Sequence, residues 1–333
     1  MKEIQEFSKY FQNCTPMKQE EIVNLLMGFM QESIVLNTNN DRTVKTCPHC
    51  QSEKIVANGK NQGIQRYKCN DCGKNYSETT GTPLAWLKKK NKWTKYLYCM
   101  LMGYSIRKCA DEVKISIQTS FDWRHKVLCA FKTASAERFS GILETDDFFI
   151  LESEKGSKSL SRKARKRGTK ATKAGINDEQ IAVIAAVDRN GNKDLKVTNR
   201  GRISKTDMEK VFANKLDEKI ILCSDSHPSI TAYAKSKKIR HKKIKANKGQ
   251  YTKNKIYHIQ NTNNTIKRLR DFMRPFNGVA TKYLQNYMNW FLVLEKLKES
   301  NAKMNVMLAF SLSTHSASFD FKSLSIDNIL FRT

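Results

Sequence analysis

The chain has 333 residues, long enough for two or three domains with a sizeable core. Sixty Lys and Arg against 32 Asp and Glu give a formal net charge of +28 and a pI near 9.7, a field that attracts polyanions, nucleic acid above all, and that is out of place on an ordinary metabolic enzyme. No run of about 18 apolar residues offers a membrane span, the opening MKEIQEFSKYF lacks an apolar signal core, and nine cysteines, an odd number, argue against a disulfide scaffold and for a reducing compartment.

Residues 1–40 read as a helical segment. Thr15-Pro16 followed by Glu20 is a helix start, and Ile22, Leu25, Leu26, Phe29 and Met30 make an apolar stripe suited to core or partner contact. Residues 41–80 are polar and cysteine-paired. CPHC (47–50) and CNDC (69–72) are separated by eighteen residues. Each C-x2-C pair closes a tight turn that offers two thiolates to one tetrahedral ion, so the spacing predicts a zinc ribbon. Cys47, Cys50, Cys69 and Cys72 would fill all four positions of a structural site, with His49 exposed beside them. Lys60, Arg66 and Lys68 flank Tyr67 on the intervening arm and suit a hairpin laid on DNA.

Residues 84–135 read as helices. From Ser105 to Phe131 the pattern is helix, short turn, helix, with Ser105 capping the first and Ser116 the second. Ala110, Val113, Ile117, Phe121 and Val127 can close a small core, with Trp123 and Cys129 also inside. The second helix is expected to expose Gln118, Thr119, Arg124, His125 and Lys126. This predicts a helix-turn-helix-like DNA-binding segment with Arg124 and Lys126 at the DNA; a plain helical hairpin fits the same pattern.

From about 140 the periodicity changes to strands at 142–152, 180–188, 194–199 and 219–224, with an Asn190-Gly191 hairpin turn. Helical patterns follow at about 206–215, 227–236, 258–273 and 280–298. The order predicts an α/β domain over 140–298 with a mixed sheet. Its insertion at 155–175 holds nine Lys or Arg and no acid, including Arg165, Lys166 and Arg167, and is expected to meet the DNA backbone. The tail 299–333 has no readable role.

The strand ILETDDFFILE places Glu144, Asp146 and Asp147 among buried apolar residues. A buried carboxylate is costly unless it is neutralised, paired or bound to a cation. A wet edge strand is one solution and a metal site is the other. Asp225 closes the strand KIILCS and precedes a helix, where carboxylates point into the crevice that binds ligands, or cap the helix. In YHIQNTNNTIKRLRDFM, Thr262, Ile266, Leu269 and Met273 form an apolar stripe, and Asn263, Lys267 and Arg270 share the adjacent face.

The order of these pieces, with ETDD, CSDSHPSITAY, HIQNTNNTIKRL and GVATKYLQNYMNWF, resembles the bacterial insertion-sequence transposases of the ISXO-two-like family from about Cys47 to Leu297. The resemblance implies an RNase H-like catalytic domain with an Asp, Asp, Asn triad, a branch of the more usual Asp, Asp, Glu. By motif position Asp146, Asp225 and Asn263 would hold catalytic Mg²⁺ or Mn²⁺, Asp147 being the alternative first acid. Lys267 and Arg270 would contact phosphate, and His258 would be structural. The implied activity is metal-dependent cleavage of the element ends and joining of the 3′-hydroxyls to target DNA. It would need two or more protomers on double-stranded DNA, in the bacterial cytoplasm at the nucleoid. A zinc-ribbon DNA-binding regulator, or a transposase derivative that has lost catalysis, is the competing reading, and converging acids separate the two.

Overall fold

The computed structural model describes residues 2–15, 17–19, 22, 46–61, 64–77, 79–85, 87–131, 135–166, 169–217, 219–245, 248–298 and 307. Leu25, Leu26, Phe29, Met30, Arg167 and the tail from 299, apart from Met307, lie outside them. The chain divides into two units, Met1–Ser120 with Met304–Ser318, and Phe121–Lys303 with Phe319–Thr333.

The first unit opens with helix α1 (Lys2–Gln12). A three-stranded antiparallel sheet follows, of β1 (Ile55–Asn61), β2 (Ile64–Cys69) and β3 (Asn75–Ser77). Its small core is Cys47, Cys69 and Tyr76, with Ile55, Tyr67 and Cys72 packed against them. Two helices come next. In α2 (Trp93–Leu101), Trp93, Tyr96, Leu97, Cys99 and Met100 are buried. Helix α3 (Ile106–Val113) starts on the Ser105 side chain, which accepts from the backbone N–H of Lys108. It stops at Lys114, whose left-handed φ of 54° cannot continue a helix. Helix α4 (Ile117–Ala130) then starts on Ser116, whose hydroxyl accepts from Thr119 N at 3.1 Å. Both expected caps are present.

The exposure expected along α4 is corrected. Gln118 is exposed, but Arg124 and His125 are fully buried and Lys126 is half-buried, whereas Ile117, expected in the core, is 55% exposed. In the second unit, from Trp123 onward, almost every position of α4 is buried, so this half has no polar face to offer a groove. The Arg124 guanidinium sits 4.4 Å from the centre of the Trp290 ring and 5.9 Å from that of Phe276. A weakly hydrated cation on aromatic faces is a stabilising arrangement once desolvated. His125 lies 4.0 Å from the Tyr283 ring. Burial first, and then the Arg124 charge, hold its pKa down to about 3, so it packs as a neutral ring.

The second unit continues with β4 (Ile142–Leu151), β5 (Gln180–Asp188), β6 (Lys193–Arg200), α5 (Lys205–Phe212), β7 (Ile221–Ser224), α6 (Pro228–Ser236), β8 (Arg240–Lys243), α7 (Gln260–Met273) and α8 (Leu284–Leu297). The sheet order is β6-β5-β4-β7-β8. The first three pair antiparallel, β5 and β6 through the expected hairpin, with Gly191 supplying the positive φ of 86° that this turn requires. The β4–β7 and β7–β8 pairs are parallel. Strand β8 is basic and short, without the apolar run that marks a strand, and only the structure reveals it.

The two faces of the sheet are used differently. Leu143, Ala182, Ile184, Ala186 and Leu222 pack with Met208, Val211 and Phe212 of α5 and Ile230, Tyr233 and Ala234 of α6. Helices α7 and α8 meet strands β4, β5 and β6. Gln285 of α8 accepts from Val197 N and donates to Leu195 O, both at 2.9 Å, which satisfies backbone groups of edge strand β6. The basic insertion is pinned at one side: Arg165 pairs with Glu179 and donates to Glu152 O, so this guanidinium is committed inside the fold. Lys163 and Lys166 remain exposed.

Because Arg124 is a core residue, Arg124→Ala is expected to cost about 2–3 kcal/mol of stability through lost packing. Urea unfolding would show it as a lower midpoint.

Candidate active site

Strand β4 alternates, so Glu144, Asp146 and Phe148 point to one face and Thr145, Asp147 and Phe149 to the other. The contacts identify the faces. Glu144 bonds the start of α7, and the Arg270 guanidinium of α7 lies 6.0 Å from the Phe148 ring centre. Phe149 packs in the cluster formed by α5 and α6. Asp146 therefore faces α7, and Asp147 faces the side where His227 opens α6.

The parallel ladder fixes the second acid. Ile142, Leu143 and Glu144 stand opposite Ile221, Leu222 and Cys223. Asp225 follows β7 directly, two residues past the last ladder pair, as Asp146 follows Glu144 on β4, and its charge is among those that raise Asp146. Asp225 Oδ1 accepts from His227 N at 2.9 Å, which fixes the turn, and His227 itself is the N-cap of α6. Ser224, just before it, is 2.9 Å from His241 Nε2 of β8. Burial first, and then Lys243, hold that imidazole down to about 4.

Helix α7 brings the third group. Thr262, Thr265, Ile266 and Leu269 are buried, and Asn263, Lys267 and Arg270 form the exposed face next to them. Asp146, Asp147, Asn263, Lys267 and Arg270 line one cavity of about 540 Å³. Burial, then Asp225, then Asp147 push the Asp146 carboxyl up to about 7, and Arg270 pulls the other way. Burial raises Asp147 as well, opposed by His227. A two-carboxylate site with this much mutual repulsion favours a proton or a cation.

Glu144 differs. It is fully buried and answered on all sides. Its Oε2 accepts from Asn261 N at 2.8 Å and Thr262 N at 3.1 Å, and its Oε1 accepts from Asn261 Nδ2 at 3.0 Å. Arg189 is 2.9 Å away and His258 Nδ1 is 3.3 Å away. The sequence marks Glu144 only as one of three acids; no local signal names its partners, which come from 45 and more residues downstream.

In the first unit, the Sγ atoms of Cys47, Cys50, Cys69 and Cys72 lie within 4.8 Å of one another and could hold one metal ion. The backbone N–H of Cys72, and that of Asp71 beside it, lower the Cys69 thiol to about 6, which favours a thiolate. His49 is exposed.

Residues 138–292 match the ISXO2-like transposase domain. Over that stretch the chain belongs to that transposase family. An uncharacterised protein in transposable element ISH50 of Halobacterium salinarum is 22% identical over 253 residues, covering 74% of this chain and 83% of the relative. Among solved structures, a pre-cleavage Mos1 transpososome is 9% identical, with 65% of this chain and 78% of that chain covered at a TM-score of 0.21. The Mos1 strand transfer complex is 8% identical, with 68% and 79% covered at 0.25. Likenesses this weak carry no inference. The family match spans β4 to α8 and so contains all three residues singled out by motif position. Among the described residues no helix is long and apolar enough to cross a membrane.

The raised Asp146 carboxyl has a consequence for stability. Folding favours its protonated form, so the contribution is fully present below the unfolded value of 3.8 and is lost as pH rises through about 7. In EDTA at pH 8, Asp146→Asn should therefore melt higher than wild type. After discounting for solvent the gain is about 1–2 kcal/mol, or roughly 2–6 °C. The difference should vanish near pH 4, and calorimetry at the two pH values checks it.

Proposed function

We propose that this chain cleaves the ends of its insertion sequence and joins the freed 3′-hydroxyls to target DNA. What supports the reading is that Asp146 and Asn263 line one cavity with Lys267 and Arg270, while Asp225, which follows β7 and is not among the residues lining that cavity, lies close enough for its charge to raise the Asp146 carboxyl. A sheet of three antiparallel strands followed by two parallel ones, with an acid on its first strand in chain order and another just past the end of its fourth, supports an RNase H-like reading of this unit.

Asp146, Asp225 and Asn263 would hold Mg²⁺ or Mn²⁺. Two carboxylates and an amide oxygen are the hard donors such ions take, and the raised Asp146 carboxyl marks a place short of positive charge. When bound, such ions supply charge stabilisation to the attacking and leaving oxygens of an in-line displacement. The chain's own part is positioning. Lys267 and Arg270 bind the phosphates beside the scissile bond and hold it in the cavity. Hydrolysis at each end leaves a 3′-hydroxyl, which then attacks target DNA in the same place. No side chain becomes covalently attached to DNA. Asp147 lines the same cavity but alternates to the other face of β4, beside His227, so Asp146 is taken as the first acid and Asp147 stays the alternative.

The cysteine cluster fits zinc. A tetrahedral ion with bonds of about 2.3 Å spaces its sulfurs about 3.8 Å apart. Cys47 and Cys72 are 3.7 Å apart, and Cys50 and Cys69 are 3.6 Å apart. We read β1 and β2 as a zinc ribbon whose exposed Lys60, Arg66 and Lys68 contact the element ends. The exposed start of α4 with Gln118, and Lys163 and Lys166, would add to the DNA surface, whereas half-buried Lys126 is left out. So is Arg124, because it is buried. Cutting two ends together calls for two protomers on the DNA.

Asp146→Ala and Asp225→Ala should each lower end cleavage and strand joining by at least about a thousandfold, the several kcal/mol an ion contributes. End-DNA affinity should stay nearly unchanged, since positioning contacts lie elsewhere. A gel assay with labelled ends in Mg²⁺ reads both, and wild-type joining by either variant removes the assignment. Chelation of the purified chain is expected to release one zinc and to expose residues 46–77 to protease while the β4–α8 unit stays protected. Atomic absorption that finds no zinc overturns the ribbon.

A further inference from the structure

We infer that Glu144 is a positioning residue for Asn263, capping α7 from β4 and thereby setting the amide's place opposite Asp146. The inference rests on the reading of Asp146, Asp225 and Asn263 as the reacting site.

Helix α7 takes one first-turn bond from its own flanking residues, Gln260 N to His258 Nδ1 at 3.3 Å. Its N-cap residue is Ile259, which has no side-chain acceptor, and no side-chain cap bond is made there. The N–H groups of a first turn need acceptors when they are buried. Glu144 supplies them from another element, taking the N–H of Asn261 and of Thr262 on one oxygen and the Asn261 side chain on the other. Thr262 is the residue immediately before Asn263. Glu144 is two positions before Asp146, on the same face of the same strand. One carboxylate thus ties the strand of the first acid to the helical turn of the amide, within one or two residues of each.

The charge is matched. A helix N-terminus carries partial positive charge and favours an anion. Arg189, at the end of the β5 strand, adds a full one at 2.9 Å. Arg189 also donates to Ile256 O at 3.0 Å and lies 3.1 Å from His258 Nε2, so it holds the segment entering α7. Among the described residues, Glu144 is the one fully buried acid on β4, and its two oxygens are used on α7 and on Arg189. Strand and helix are the rigid parts of the site, and a fraction of an ångström between them decides whether an amide oxygen reaches an ion held by Asp146.

Glu144→Gln keeps the shape, removes the charge, and turns one acceptor oxygen into a donor facing donors. Two readouts test it on the full chain. Hydrogen exchange at Asn261, Thr262 and Asn263 should accelerate by at least about tenfold, as for a lost cap. The Mn²⁺ concentration giving half-maximal end cleavage should rise about tenfold, with most of the rate restored at saturating Mn²⁺. Asn261→Ala removes one of the bonds and keeps the charge. It should shift the Mn²⁺ requirement the same way by about two- to fivefold, and it stands in if Glu144→Gln does not fold. Wild-type Mn²⁺ half-saturation in a folded variant overturns the inference, and so does a rate loss that saturating Mn²⁺ leaves in place, which marks general damage. Failure of the underlying reading looks different: the wild-type chain itself cleaves no ends in Mn²⁺. Faster exchange in Glu144→Gln would then reduce Glu144 to a cap and overturn its positioning role.

Discussion

The parallel pairing of β4 with β7 is the constraint on which the site depends. It holds β4 beside the strand that delivers Asp225 just past its end, two residues beyond the last ladder pair, Glu144 with Cys223. Repulsion between Asp146 and Asp225 follows from that placement. In a partly buried setting such a pair lowers stability as both ionise, which is why burial and Asp225 together raise Asp146 so far. A fold that carries this cost at the centre of its sheet, beside a cavity walled by Lys267 and Arg270, has traded stability for a place where positive charge is wanted.

Strand β4 shows the same chemical group with two outcomes. Glu144 and Asp146 are two residues apart on one face, yet one is answered by a helix N-terminus and an arginine and the other is answered by neither to the same degree. The difference comes from α7. Its first turn lies over Glu144, and its later turns carry Arg270 past Asp146 and Phe148. A helix laid along a strand in this way can satisfy a carboxylate only where its N-terminus is. Further along, the helix presents side chains, and there the acid stays available for a ligand.

Much of the second unit is legible in the sequence because its strands are long, apolar and bounded by turns. The segments 142–152, 180–188 and 194–199 fall within a residue or so of β4, β5 and β6, and the helices at 227–236, 258–273 and 280–298 appear in place. The cysteine spacing likewise foretells a four-thiol cluster, since two tight turns have few ways to present four sulfurs. What the sequence hides is whatever depends on distant partners. Strand β8 reads RHKK and is a strand only because β7 offers it an edge. Arg124 looks like a DNA contact until the aromatic cluster of Phe276 and Trp290 closes around it. Arg165 sits in a basic loop but is claimed by Glu179. Charge on a basic chain is a poor guide to exposure, because a guanidinium is as useful against a ring or a carboxylate as against a phosphate.

The amide at position 263 fits this economy of charge. A third carboxylate would bind a cation more strongly, but in the absence of one it would add to a repulsion that already shifts Asp146. An amide offers an oxygen without a charge, so the empty site costs less and its hold on an ion is weaker. The chain compensates around it. Lys267, Arg270 and Arg274 line the cavity together with Asp146, Asp147 and Asp271, so a cation and a phosphate entering together would each meet opposite charge. An amide at 263 beside the raised Asp146 carboxyl therefore leaves a place that takes a cation more readily when an anion arrives with it.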